Sequence, residues 1–239
     1  MILLKSFKGN NILSVIIPTL NESESLPLLL SDLSELRNAE ILIIDSFSKD
    51  KTRDIASIYG TKFYQLKQKN RGLQLNYGAQ KATGKWLLFI HADSRLKENW
   101  SEEINLIMQK NSPAVYFFNF KINNQKKIYR LLEFFVNMRC FFFKNPYGDQ
   151  GLLIEKNKYF KNEGFKEIPL MEDIDFIKRI RKREYLLCLK NSIYTSSRKW
   201  DKNNFLIQSF KNWKLRKRWL KGDSMDLIYK DYYKYKSKY

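Results

Sequence analysis

The chain reads as an α/β protein with a doubly wound, mainly parallel sheet and a C-terminal helical appendage, and three observations lead there. From Leu13 to Ile122, short apolar runs rich in β-branched and aromatic residues alternate with stretches of helical periodicity. Three of these runs end in polar, acid-bearing turns. Those turns are expected to gather at the carboxyl ends of neighbouring parallel strands, the edge where open α/β sheets place ligands. Finally, no Pro/Gly/Ser-rich linker interrupts the 239 residues, a length that buries one substantial core.

The elements follow in order. Leu13 to Pro18 forms a buried strand, Ser25 to Leu36 a helix that tolerates Pro27 in its first turn, and Glu40 to Asp45 a second strand, which makes a βαβ opening. Ser48 or Asp50 caps a helix running through Tyr59, Thr61 to Leu66 gives a third strand, and Leu73 to Ala82 a helix ended by Gly84. Trp86 to His91 is the fourth strand. A helix from about Lys97 to Gln109 and a strand over Ala114 to Ile122 complete the alternation. After Asn123 the pattern changes to a long aromatic helix, a Gly148 to Gly151 turn, a helix from Asp173 to Arg183 and short strands near Leu186 and Ile193. No internal repeat is visible. One domain over residues 1–200, with halves at about 12–122 and 123–200, and a basic aromatic tail over 201–239 are therefore expected.

Bulk properties narrow the function classes. Cys140 and Cys188 lie far apart in apolar surroundings, which reads as reduced, buried thiols of a cytoplasmic protein and excludes a disulfide framework. Met1-Ile-Leu-Leu-Lys is too short for the apolar part of a signal peptide, and Glu133, Asn137 and Arg139 break the Leu131 to Phe143 stretch too often for a membrane span. The formal net charge of +19 favours anionic partners, and from Arg198 to Tyr239 there are 13 Lys or Arg against 4 Asp, a net +9. Abundant Lys, Asn, Ile and Tyr also suit A+T-rich coding, which accounts for the scattered lysines better than for the tail.

Five turns carry the chemistry: Val15-Ile-Ile-Pro-Thr-Leu-Asn-Glu22, Ile43-Ile-Asp-Ser-Phe-Ser-Lys-Asp-Lys-Thr52, Leu88-Phe-Ile-His-Ala-Asp-Ser94, Gly148-Asp-Gln-Gly151 and Met171-Glu-Asp-Ile-Asp175. In this order and spacing they resemble the family 2 glycosyltransferases of the GT-A fold, and more narrowly a bacterial subgroup with His-Ala-Asp in place of the usual Asp-x-Asp. The resemblance runs from about Leu13 to Trp200. It implies a Rossmann-like sheet, a nucleoside diphosphate sugar as donor, a hydroxyl acceptor and Mn²⁺ or Mg²⁺ as cofactor.

Each site residue then has an implied role beside a plainer one. Pro18, Thr19, Asn21 and Glu22 would hold the nucleoside and Asp45 the base, although Asn21 and Glu22 also suit helix capping and Asp45 a strand-end turn. Arg71 and Gly72, in Asn70-Arg71-Gly72, would approach the pyrophosphate, because helix N-terminal amides and an Arg fork both favour anions. In His91-Ala92-Asp93 the acid would hold the metal, which bridges phosphate oxygens, while His91 contacts ribose or phosphate or simply packs. As the only histidine, His91 cannot belong to a multi-histidine zinc site. Asp149 and Gln150 fall beside the transferred sugar and acceptor. Asp173 is the implied general base with Glu172 positioning its neighbours, though acids there also suit a helix N-terminus. Asp175 faces away or pairs with Lys178 and Arg179 one turn on. Arg198 would clamp the diphosphate, or else belongs to a surface basic cluster.

In the tail, Leu206, Phe210, Trp213 and Leu220 recur at helical spacing between Phe205 and Leu220. This is the pattern of a core-docking helix, the reading preferred for this line, and also of a helix lying on a membrane, toward which the flanking basic residues tilt the exposed side. An anionic membrane surface, reached from its cytoplasmic side, and a lipid-linked acceptor are thus the expected partners. The Leu131 to Phe143 segment offers a second contact. Two rivals remain. A nucleotidyltransferase of related fold normally has a Gly-rich, Lys-containing first turn, which Pro18 to Glu22 lacks. A nucleic-acid-binding module explains the charge but gives no role to acids at successive turns, where they repel phosphate.

Overall fold

The computed structural model describes residues 13–36, 38–97, 99–196 and 205–236; the side chains of 205–209 and 233–236 fall outside that description. β1 (Leu13–Thr19), α1 (Leu26–Leu33), β2 (Ala39–Asp45), α2 (Thr52–Ile58), β3 (Lys62–Gln65), α3 (Arg71–Lys81) and β4 (Trp86–Phe89) form the expected alternating half. A short β5 (Ser94–Leu96), α4 (Trp100–Gln109) and β6 (Val115–Ile122) follow. The second half comprises α5 (Lys127–Phe143), a 3-10 turn (Gly148–Gln150), β7 (Leu152–Glu155), α6 (Lys156–Lys161), α7 (Glu172–Ile180) and β8 (Leu186–Thr195). The tail adds α8 (Phe205–Leu220) and α9 (Met225–Lys236).

The strands make one sheet in the order β3-β2-β1-β4-β7-β6-β8-β5. β1 pairs in parallel with both β2 and β4, so the strand order reverses direction beside β1 and a crevice opens between the ends of β1 and β4. β7 lies antiparallel between β4 and β6, and β5 closes the far edge antiparallel to β8. The sequence missed both reversed strands. Leu152–Glu155 is too short to show a period, and Ser94–Leu96 falls between the expected strand ending at His91 and the helix expected from about Lys97. The expected pair of strands near Leu186 and Ile193 is one strand, irregular between Phe117 and Asn119 of its β6 partner.

Alternate strand residues feed the two faces of the sheet. Val15, Ile17, Trp86 and Leu88 join α1 and α4 on one side, while Ile16, Leu42, Ile44, Leu87 and Phe89 meet α3 and α7 on the other. Each such fully buried aliphatic or aromatic side chain contributes about 1.5–3 kcal/mol. α3 lies so close to β1 that a Cβ on Gly78 would come within 2.4 Å of the Ile16 side chain. Gln74, one turn in from the start of α3, donates to the carbonyls of Thr19 and Ile44 and so ties the helix to the ends of β1 and β2.

Two sequence expectations need correction. Cys140 is buried, but Cys188 on β8 is exposed, next to the register irregularity of that strand's pairing with β6; both are free thiols. In α8 the apolar line Phe210, Trp213 and Leu220 points outward, at 60%, 42% and 48% exposure. The buried contact is made instead by Leu215, which packs with Ile228 of α9 on Leu170, joined by Met171, Trp219 and Tyr232. Two apolar lines compete on this helix, and docking on Leu170 selects the one the periodicity did not. The side chain of Leu206 lies outside the described residues.

Candidate active site

The ends of β1, β2 and β4 hold the polar turns together through side-chain to backbone bonds. Asn21, in the left-handed conformation at φ 55°, accepts from Lys49 N at 2.8 Å, and its own amide donates to Ser48 Oγ at 2.7 Å. Glu22 N donates to Thr52 Oγ1 at 3.0 Å. These bonds clasp the first turn to the second, so capping of α1 by Asn21 is not what the structure shows. Asp45, expected at the base, is wholly buried: Thr19 Oγ1 and Ser48 N donate to it at 2.9 and 2.8 Å. Its carboxylate is committed to holding the two turns in register, and it does not line the cleft.

The cleft over these turns is lined by Pro18, Thr19, Leu20, Glu22 and Ser46, by Lys69, Asn70, Arg71 and Gln74 at α3, and by His91, Ala92 and Asp93 after β4. Pro169, Leu170 and Tyr232 close it from the other side. Asn70 caps α3, its Oδ1 accepting from Leu73 N at 3.0 Å, and this aims the N-terminus of the helix at the cleft. Gly72 does not face the cleft. A Cβ there would lie 2.0 Å from Lys166 O, so the glycine permits the 166–168 backbone to pass against α3, and Gly72 N donates to Ile168 O at 3.2 Å.

Arg71 Nε donates to Glu172 Oε1, joining the start of α3 to the start of α7. Glu172 is fully buried and its Oε2 meets no hydrogen-bond partner. Burial pushes its carboxyl up to about 7, Arg71 pulling down and the charge of Asp173 pushing up. Burial works against the Arg71 cation too, yet Glu172 and Asp173 outweigh it and hold the guanidinium proton more tightly than usual. Met171, at φ 65°, makes the left-handed turn that swings Glu172 inward and leaves Asp173 half-buried at the surface.

Asp173 is fixed by two backbone amides: Gly148 N donates to Oδ2 at 2.7 Å and Ile174 N to Oδ1 at 2.8 Å. A Cβ on Gly148 would stand 3.0 Å from His91 Nε2 and 3.1 Å from Asp173 Oδ2, which places the imidazole and the carboxylate both against this glycine. Beyond Asp173 lies a second cleft of about 300 Å³, a size that accepts a small molecule. It is walled by Leu132, Val136 and Arg139 of α5, Trp213 and Arg216 of α8, and Tyr147, Asp149 and Met171. Arg71, Leu170 and Tyr232 border both clefts.

Gln150 differs from expectation. It is wholly buried, its Oε1 accepting from Arg139 Nη2, Cys140 Sγ and Tyr147 N and its Nε2 donating to Phe118 O. The amide anchors the 3-10 turn to α5 and β6 and lines neither cleft, whereas Asp149 lines the second. Asp175 pairs with Arg179 at 2.7 Å and Lys166 at 3.0 Å, away from the clefts. Arg198 lies outside the described residues. Tyr147, with the Arg139 guanidinium 3.6 Å from its ring centre and that of Arg216 at 4.9 Å, escaped the sequence reading, as did Tyr232. Nothing in a Lys/Tyr-rich tail distinguishes the tyrosine that reaches the cleft.

Among the described residues no group of three or more His, Cys, Asp or Glu side chains is placed to hold a metal ion. Asp93 beside His91 can offer a single carboxylate, a donor set that fits an ion held chiefly by phosphate oxygens and water, as Mg²⁺ commonly is.

A family model described as "Glycosyl transferase family 2" matches residues 14–226. A PGL/p-HBAD biosynthesis glycosyltransferase of Mycobacterium bovis is 37% identical over 93 residues, covering 36% of this chain and 36% of the relative. A 4,4'-diaponeurosporenoate glycosyltransferase of Staphylococcus haemolyticus is 34% identical over 99 residues, 38% of this chain and 26% of the relative. Among solved structures, S. aureus TarS 1-349 in complex with UDP-GlcNAc superposes with TM-score 0.62 at 19% identity, over 78% of this chain and 58% of that one. GalNAc-T7 with UDP, GalNAc and Mn²⁺ gives TM-score 0.61 at 16% identity, over 80% and 44%. At these identities the two structures speak for the fold.

Proposed function

The chain belongs to glycosyl transferase family 2, and from that membership we propose that it moves a sugar from a nucleoside diphosphate sugar to an acceptor hydroxyl by a single, inverting displacement. The observation that carries the reading is Asp173. Its carboxylate is held by Gly148 N at 2.7 Å, faces the second cleft and neighbours the first through His91.

In this reading the first cleft takes the donor. Pro18, Thr19 and Glu22 face the nucleoside, with Asp45 and Asn21 acting through the turns they hold. The capped start of α3 and the Arg71 fork meet the diphosphate and stabilise the charge that grows on it as it leaves. Asp93 would hold Mn²⁺ or Mg²⁺, whose chemistry when bound is to neutralise phosphate oxygens. The acceptor enters from the second cleft. Asp173 takes the proton of its hydroxyl as that oxygen attacks the anomeric carbon opposite the diphosphate, so configuration inverts and no covalent sugar intermediate forms. Glu172 serves as a positioning residue, keeping Arg71 beside Asp173. Arg198 is assigned to the same diphosphate.

A lipid-linked acceptor and work at the cytoplasmic face of a membrane belong to the same reading, supported by the net +9 of the Arg198 to Tyr239 tail. This chain spans 36% of the length of the mycobacterial relative. No helix among the described residues is long and apolar enough to cross a membrane. The test is thermal stabilisation by a panel of nucleoside diphosphate sugars with and without Mn²⁺, since a ligand that binds only the folded form raises the Tm. A Tm rise for one donor that grows with Mn²⁺ supports the reading, and no rise for any donor contradicts it.

A further inference from the structure

α5 packs on β6 through a mixed inward side: Tyr129 joins Phe120 and Ile122 of the strand, with Leu132 and Val136 packed against them, and polar groups lie among these apolar ones. Asn137 pairs with both backbone groups of Phe120 on β6, at 3.0 and 3.1 Å, and Glu133 Oε1 accepts from Ile122 N at 2.6 Å. Its outward side is an apolar stripe, Ile128, Leu131, Phe135, Met138 and Phe142, at the three- and four-residue spacing of one helix face. Leu131, Phe135 and Phe142 are 52%, 61% and 63% exposed. A contiguous patch of this kind marks an interaction surface. Exposed basic residues bracket it, Lys126, Lys127 and Arg130 at one end and Lys144 and Arg181 at the other, the last donating to Phe143 O at 3.4 Å.

We propose that this face of α5 seats the protein on an anionic lipid bilayer, so that a lipid-anchored acceptor reaches Asp173 through the adjoining cleft. Apolar and aromatic side chains flanked by cations are what the interface between headgroups and acyl chains accepts. A second protein surface would satisfy the stripe, whereas positive charge at both of its ends favours an anionic surface. Leu132 and Val136, on the flank of the same helix, form one wall of the second cleft, and Trp213, stacked on Phe210 at 5.5 Å, stands on the opposite wall. The cleft therefore opens beside the stripe. The acceptor's route rests on the glycosyl-transfer reading; the bilayer contact does not, and vesicle binding separates the two.

The experiment is co-sedimentation of the full chain with phosphatidylcholine vesicles containing or lacking phosphatidylglycerol, at low and high salt, for wild type, F135D/F142D and K126E/K127E/K144E. Expected are binding to the anionic vesicles that weakens with salt and falls about tenfold or more in each variant, since each buried aromatic or surface cation contributes roughly that factor. The charge-reversed variant alters only exposed lysines, so it decides the matter if the Phe variant does not fold. Undiminished sedimentation of either folded variant overturns the proposal. So does a wild-type dimer that F135D/F142D converts to monomer without vesicles, or capture by RNA that abolishes vesicle binding.

Discussion

Arg71 at the start of α3 and Glu172 at the start of α7, 101 positions apart in sequence, meet in an ion pair beneath the junction of the two clefts. Glu172 keeps one oxygen buried without a partner, so the pair is under-satisfied and sensitive to protonation. Its folded carboxyl is raised from the ordinary 4.5 to about 7, so the folded state binds a proton that the unfolded state releases. The resulting contribution to stability is full below about 4.5 and is lost as pH rises through about 7. Glu172→Gln should therefore be relatively more stable against wild type at pH 8 than at pH 4.5, read from urea unfolding at both. An equal stability difference at the two pH values counts against this description.

The acid side of the stability profile belongs to other groups. Glu40 is held at about 2: burial pushes it up, but Lys62, Ser14 and Thr83 donate to it and win. Its contribution is present above the unfolded value of 4.5 and disappears as pH falls toward about 2. Glu40→Gln should flatten the loss of stability between those values while lowering stability at pH 7, where Ser14, Lys62 and Thr83 lose a charged partner.

Gln150 separates architecture from acceptor binding. Gln150→Leu strands the donors of Arg139 and Tyr147 N and the acceptor Phe118 O, and should cost about 3 kcal/mol or more, at about 1–3 kcal/mol for each of these buried groups left unsatisfied. A large rise in acceptor KM with unchanged unfolding would return Gln150 to the role expected from its motif.

Gly148→Ala tests the packing between His91 and Asp173. The new methyl must displace one of them by a few tenths of an ångström, because it would sit 3.0 and 3.1 Å from their polar atoms. Turnover should fall about tenfold or more while the unfolding midpoint changes little, as misplacement of a reacting group costs rate steeply. Wild-type kcat in the alanine variant would show that the carboxylate position is not limiting.

Much of this was legible in the sequence, and the boundary has physical causes. β1 to β4 with their helices follow from apolar runs and periodicity, because local pattern decides a parallel half whose strands are buried on both faces. β5 and β7, of 3 and 4 residues, are set by neighbours that no local window contains. At the site, the ordered turns led to Arg71, His91, Asp93 and Asp173, all of which line a cleft. Asp45, Gly72 and Gln150 stand outside the linings of both clefts and meet backbone groups at 2.8–3.2 Å, because an acid, a glycine or an amide in a turn serves the backbone as readily as a ligand. Tyr232 and Arg216 arrive from the tail, whose docking face the periodicity assigned to the opposite side.

The donor side has its own test. Asp93→Ala should abolish the Mn²⁺-dependent part of donor binding and leave the unfolding midpoint of the free protein near that of wild type. Unchanged donor titration in the presence of metal would remove Asp93 from that role.

The central claim is that Asp173 is the general base, and single-turnover kinetics of Asp173→Asn beside wild type tests it most directly. Asparagine preserves shape but cannot take the proton, so the chemical step should slow by roughly 10²- to 10⁴-fold with donor Kd little changed. Near-normal turnover in Asp173→Asn, with Glu172→Gln inactive, would contradict the assignment and transfer the role to the buried partner of Arg71.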